Sequence, residues 1–147
     1  MGLHMTAVIT RRDNGTFDCG GAQVRAYGRH LATVVTVRGE IDVVNVDRVK
    51  AYVRRLALEA DQVVLDLSEM DNFAPVGIGL LCMLDDEWRA AGVEWMLVAG
   101  PAVVEALGDE ARAMFPITRS VHEALHNVAE AIGRRRQMVL SLIGKTA

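Results

Sequence analysis

A chain of 147 residues, 51% of them hydrophobic and 24% charged, can bury one real core but is too short for two domains of ordinary size. Its formal charge of -3 and isoelectric point near 5.8 provide no broad basic field, which disfavours nucleic-acid binding by the whole surface. No apolar run approaches the ~18 residues that span a bilayer, and no basic stretch followed by an apolar segment opens the chain, so a cytoplasmic protein without a membrane span is expected.

Residues 1–20 read as a loosely structured arm. Asp13, Asn14, Gly15 and Gly20 interrupt it after a short strand expected at Ala7 to Thr10, and Cys19 sits near its end. Gln23 to Tyr27 and Thr33 to Val37 flank Gly28-Arg29-His30, which predicts two antiparallel strands. The second strand ends in Arg38-Gly39-Glu40-Ile41-Asp42. A helix follows with Asn45 as its N-cap and Val46, Val49, Val53 and Leu56 on one stripe. Val63, Val64, Leu65 and Leu67 suit a strand buried on both faces, and the polar cluster Ser68, Glu69, Asp71 and Asn72 reads as the turn that ends it.

Proline is suited to a first helical turn, so the next helix starts near Pro75 and runs to about Ala91. Gly77, Leu81, Leu84, Trp88 and Ala91 fall on its buried side, Gly77 and Gly79 allow close packing on the sheet, and Gly92 ends it. Val93 to Val98 is a further strand, and Pro101 to Leu107 a short helix closed by Gly108. A last short strand around Phe115 and Ile117 leads into a helix whose Val121, Leu125, Val128 and Ile132 step by 4, 3 and 4. Strands alternating with helices predict a single α/β domain, a mixed four- to five-stranded sheet packed with about four helices. Beyond it, Arg134-Arg135-Arg136 followed by Met138, Val139, Leu140, Leu142 and Ile143 predicts a helix extension or intermolecular packing element, with membrane-surface binding and a disordered tail as the alternatives.

Catalytic motifs are weak. His122-Glu123-Ala124-Leu125-His126 matches a zinc-protease helix, yet no histidine or acidic residue follows Glu130 to supply a third ligand. Glu123 also completes a capping box with Ser120. Gly77-Ile78-Gly79 opens a helix after a strand, but Cys82 stands where a dinucleotide fingerprint needs its third glycine. No catalytic residue, metal or cofactor is therefore expected. Cys82 lies about 140° from the centre of its helix's buried stripe and is expected towards solvent or a partner. Cys19 and Cys82 are expected as a reduced pair, with a redox switch as the minority alternative.

Three segments in order, Arg38-Gly39-Glu40-Ile41-Asp42, Val63-Val64-Leu65-Asp66-Leu67-Ser68 and Gly77-Ile78-Gly79-Leu80-Leu81, resemble the STAS domain of bacterial anti-sigma factor antagonists. The resemblance implies an N-terminal arm over 1–20, a STAS-like domain over 21–133 and a basic, apolar extension over 134–147. In phosphorylation-controlled members of that family the serine directly before the helix glycine accepts the phosphate. Matching that glycine to Gly77 puts Ala74 at the family's aspartate, Pro75 at its first serine and Val76 at the acceptor, and none of the three has a hydroxyl.

The resemblance thus implies a non-enzymatic protein that binds a kinase-like anti-sigma factor and frees a sigma factor, without phosphorylation at the usual helix start. Candidate partner contacts are Asp42, Asn45, Asp71, Asn72, Cys82, Asp85 and Asp86. Capping, turn formation or plain solvation accounts for the polar ones equally well. The alternative is a STAS scaffold or ligand-sensing, self-associating subunit of a larger regulatory or transport assembly, with a homodimer as its simplest form.

Overall fold

The computed structural model describes residues 15–29 and 31–146; the strand expected at Ala7 to Thr10 lies outside them, as do the side chains of residues 145 and 146. Seven strands form one mixed sheet. Strands β1 (Phe17–Asp18), β2 (Ala22–Arg29) and β3 (Ala32–Ile41) pair antiparallel, with Arg29 opposite Ala32 at the hairpin end. From β3 onward the pairing is parallel, through β4 (Gln62–Leu67), β6 (Glu94–Ala99) and β7 (Ile117–Thr118). Parallel neighbours need crossovers. Helices α1 (Val46–Leu56), α2 (Val76–Ala90) and α3 (Pro101–Arg112) supply them, and α4 (Val121–Thr146) follows β7.

The sheet is therefore larger than the four to five strands expected. Two of the additions, β1 and β7, are two residues long, too short for alternation to register. The third is β5 (Met70–Phe73), which pairs with the end of β3 where β4 has already stopped, Glu40 opposite Asn72 and Ile41 opposite Phe73. Asp71 and Asn72 thus lie on a strand rather than in a turn. Their exposed side chains conceal the two buried ends, Met70 and Phe73.

The two faces of the sheet are covered unequally. On one, Val49 and Val53 of α1, Leu80, Leu81, Leu84 and Trp88 of α2, and Val103 and Leu107 of α3 close over Val35, Val37, Val63, Leu65 and Leu97. Trp88, Trp95 and Phe115 continue this core as an aromatic series with centroids 5.3 and 6.4 Å apart. On the other face α4 alone sets Val121, Ala124 and Leu125 against Val34, Val64 and Val98.

Gly108, at φ 72°, breaks α3 where the sequence closes it, and a further turn runs on to Arg112. Ala91 is exposed past the end of α2 rather than buried, because the chain has already turned at Gly92, φ 75°. α4 continues without interruption through Gly133 and Arg134. Among the described residues, no helix is long and apolar enough to cross a membrane.

Candidate functional site

Two helices begin side by side at one edge of the sheet. β3 ends at Ile41, whose carbonyl accepts from the N–H of Ala74 at 2.9 Å, so the loop into α1 and the turn into α2 are neighbours. The start of α1 is polar. Asp42 Oδ1 accepts from the N–H groups of Val44 (2.9 Å) and Asn45 (3.1 Å), so Asp42 caps this turn. Asn45, expected as the cap, makes no capping bond. Its amide instead donates to the carbonyls of Glu40 (2.8 Å) and Gly20 (3.0 Å), while its Oδ1 accepts from Asp42 N–H at 3.0 Å. At 1% exposure it is enclosed, not presented to a partner. It ties the β1–β2 turn, the end of β3 and the start of α1 together.

The start of α2 carries no polar side-chain cap. Its N–H groups at Gly77 and Ile78 bond back to the carbonyls of Ala74 (2.8 Å) and Pro75 (3.0 Å). Packing fixes the turn from below: a Cβ on Gly77 would come within 2.8 Å of three ring atoms of Phe73, so only glycine lets the helix sit this close to β5. Gly79 does not share that role. It is exposed, with open space where a Cβ would go. A helix start favours anions through its free N–H groups and dipole, but Ala74, Pro75 and Val76 offer no oxygen to carry a phosphate. The nearest hydroxyl in sequence, Ser68, donates to Asp66 Oδ1 at 2.6 Å at the end of β4.

Around these two starts the surface is apolar. Val43 and Val44 are 75% and 83% exposed, and Pro75, Gly79 and Met83 (43%) occupy one exposed line along α2 at steps of four residues. Lys50 on α1 donates to the sulfur of Met83 at 3.7 Å, and lower down Arg54 pairs with Glu87 at 2.8 Å. Sequence reasoning passed over Val43 and Val44. The signal was available, since two adjacent β-branched residues between a strand and a helix serve neither element's periodicity.

The sequence-derived candidates separate. Asp42, Asp71 and Asn72 lie at the edge where the two helices start, Asp42 half-buried and the other two exposed. Asp85 sits nine residues into α2, about 14 Å along its axis. There it accepts from Trp95 Nε1 at 2.8 Å and pairs with Arg89, while Asp86 is exposed beside it. Cys82 is half-buried against the main core. Cys19 is 0% exposed rather than part of a loose arm, its N–H bonded to the carbonyl of Ala22 at 2.7 Å. Burial raises its thiol pKa against the opposing pull of the Arg48 guanidinium. Both thiols are free.

His122 and His126 are exposed, and His126 Nε2 lies 3.4 Å from Glu130. The N–H of Glu123 donates to Ser120 Oγ at 3.0 Å, and Glu123 Oε1 accepts from Arg119 N–H at 2.7 Å, one residue before the expected partner. No group of three or more metal-ligating side chains occurs among the described residues.

A family model for the STAS domain matches residues 23–124. The chain belongs to the STAS family. It is 57% identical to osmosensory protein A of Mycobacterium tuberculosis (strain ATCC 25618 / H37Rv) over 146 residues, 96% of this chain and 92% of that protein. Among solved structures, an anti-sigma factor antagonist from Mycobacterium paratuberculosis superposes with a TM-score of 0.66 at 23% identity, over 74% of this chain and 94% of its own. The anti-sigma factor antagonist SpoIIAA in its unphosphorylated form superposes with a TM-score of 0.55 at 18% identity, over 78% and 96%. At these identities the two structures speak for a shared STAS fold.

Proposed function

We propose that this STAS protein acts by binding alone: it engages a kinase-like anti-sigma factor through the edge where α1 and α2 begin, and thereby frees a sigma factor in the bacterial cytoplasm. No catalytic step, metal or cofactor enters this reading. The observation that carries it is the pairing of an intact, exposed apolar edge, Val43, Val44, Pro75 and Met83, with a helix start that has no phosphate acceptor. In a switched relative a phosphate placed here would add charge and desolvation cost to the interface. With Val76 at the acceptor position that release is absent, so binding is constitutive at this site and control passes to expression or to another part of the chain. The name of the 57%-identical relative supports a setting in the response to osmotic conditions.

The test is a pull-down from the native cell in the presence of ATP, with intact-mass analysis of the bait. Recovery of an anti-sigma factor without a mass increase in residues 74–77, and its loss with Val44→Asp, is the expected result. An unchanged catch with Val44→Asp and Met83→Asp would overturn the placement of the site. Introducing Ala74→Asp, Pro75→Ser and Val76→Ser together should restore phosphorylation by the recovered kinase and weaken the complex.

A further inference from the structure

α4 does not end where the sheet ends. The stripe that packs it down, Val121, Leu125, Val128 and Ile132, continues with the same alternation of four and three through Arg135, Val139 and Leu142. Arg135 pairs with Glu94 at the first residue of β6, and there the support stops. The next eight residues, about 12 Å of helix, project past the sheet. Met138, Val139, Leu140, Leu142 and Ile143 are between 51% and 66% exposed along them. This end is the one opposite the starts of α1 and α2.

The same end carries a rim of opposite charge. Asp61 accepts through its carbonyl from Glu94 N–H at 3.2 Å, which places the α1–β4 loop beside the point where α4 departs. In that loop Leu58 is 77% exposed, and Glu59 and Asp61 are exposed with it. A basic and apolar helix therefore stands next to an acidic and apolar rim on one pole of one molecule. That is the composition of a self-complementary surface, in which each patch finds its counterpart on a two-fold-related copy.

We propose that the projecting part of α4 pairs antiparallel with that of a second copy of this chain, Met138, Val139 and Leu142 of each helix meeting the other and reaching the partner's Leu58 rim. A parallel pairing would stack Arg134, Arg135 and Arg136 of one copy against the same three residues of the other. The antiparallel one sets them between the two rims of Glu59 and Asp61. Three turns of helix and one loop fall short of the ~800 Å² per partner of a standard interface, so the dimer is weak, with a dissociation constant of about 1–100 µM. It leaves the apolar edge at the other pole free in both copies, and the proposal stands or falls independently of what binds there.

Sedimentation velocity of the full chain from about 1 to 200 µM reads the equilibrium across that range. Monomer and dimer in concentration-dependent exchange are expected, with association weakened at least about tenfold by Val139→Asp and by the pair Glu59→Lys and Asp61→Lys, and with unchanged melting of each variant. A monomer at every concentration, or a dimer indifferent to Val139→Asp, overturns the proposal. So does a monomer whose residues 138–143 are protected from hydrogen exchange, which would mean that the chain covers its own helix. Binding of the monomer to phosphatidylglycerol vesicles, lost in Val139→Asp, would replace the second copy with a membrane surface.

Discussion

The two helix starts at the functional edge are fixed by different means. At α1 the chain uses side-chain hydrogen bonds, Asp42 capping the turn and the enclosed amide of Asn45 reaching Gly20 and Glu40. At α2 it uses shape, the ring of Phe73 filling the space that a side chain on Gly77 would need. The difference explains how the usual phosphate acceptor could be replaced without loss of the fold. A helix start held by packing beneath it does not depend on the polarity of the residues at its rim, and Ala74, Pro75 and Val76 are those residues.

The comparison breaks most readily at Gly77. Gly77→Ala drives a methyl group into the Phe73 ring and should cost about 2–3 kcal/mol by overpacking, measured by urea denaturation. Phe73→Leu in the same chain should return part of that loss through a favourable coupling of the two sites. Additive losses would mean that α2 is not seated by this contact.

At α1 the expected order of losses is the informative quantity. Asn45→Ala leaves two carbonyls and one N–H without their partner in an enclosed site and should cost about 1–3 kcal/mol. Asp42→Ala removes a cap at a partly solvated turn and should cost about 1 kcal/mol. A larger loss at Asp42 would make the network an ordinary cap rather than a tie between three segments.

That distinction was not legible in the sequence. Asn45 stands where an N-cap belongs, and only the path of the chain shows its amide turned back towards Gly20. Phe73 and Gly77 are four residues apart across a proline, so their contact depends on β5, a strand hidden by the polar pair Asp71 and Asn72. What was legible followed from long patterns: the buried run of β4, the stripes of α1 and α2, the glycine stops at Gly92 and Gly108, and the missing hydroxyls at 74–76. The placement of Cys19 went the other way. Its flanking glycines read as a loose arm, whereas Gly20 bonds to Asn45 and encloses the thiol.

That enclosed thiol sharpens the contrast through pH. Its pKa is raised in the folded chain, so the native state keeps its proton where the unfolded chain has begun to lose it. The associated stability is fully present below the ordinary thiol range and is lost as pH rises through that range towards the higher folded value. Denaturation of the reduced protein across the alkaline range should show a decline that Cys19→Ala flattens. Hydrogen exchange should place the loosening at the α1 start, beside Gly20 and Asn45, with the α2 start unaffected. Equal loosening at both would show that the two anchors are one.

The smallest effect separates packing from propensity within α2 itself. Gly77 and Gly79 are two residues apart, and both read as allowances for close packing, yet only Gly77 meets a neighbour. An exposed glycine inside a helix costs about 0.5–1 kcal/mol relative to alanine, so Gly79→Ala should stabilise the protein by that amount in the same denaturation experiment. The sign is opposite to that at Gly77 although the substitution is the same. Because Gly79 lies on the exposed line between Pro75 and Met83, the added methyl also probes the docking edge. A gain in stability with weakened capture of the partner would put the contact across this turn of α2, whereas a gain with unchanged capture would confine it to Val43, Val44 and the first turn.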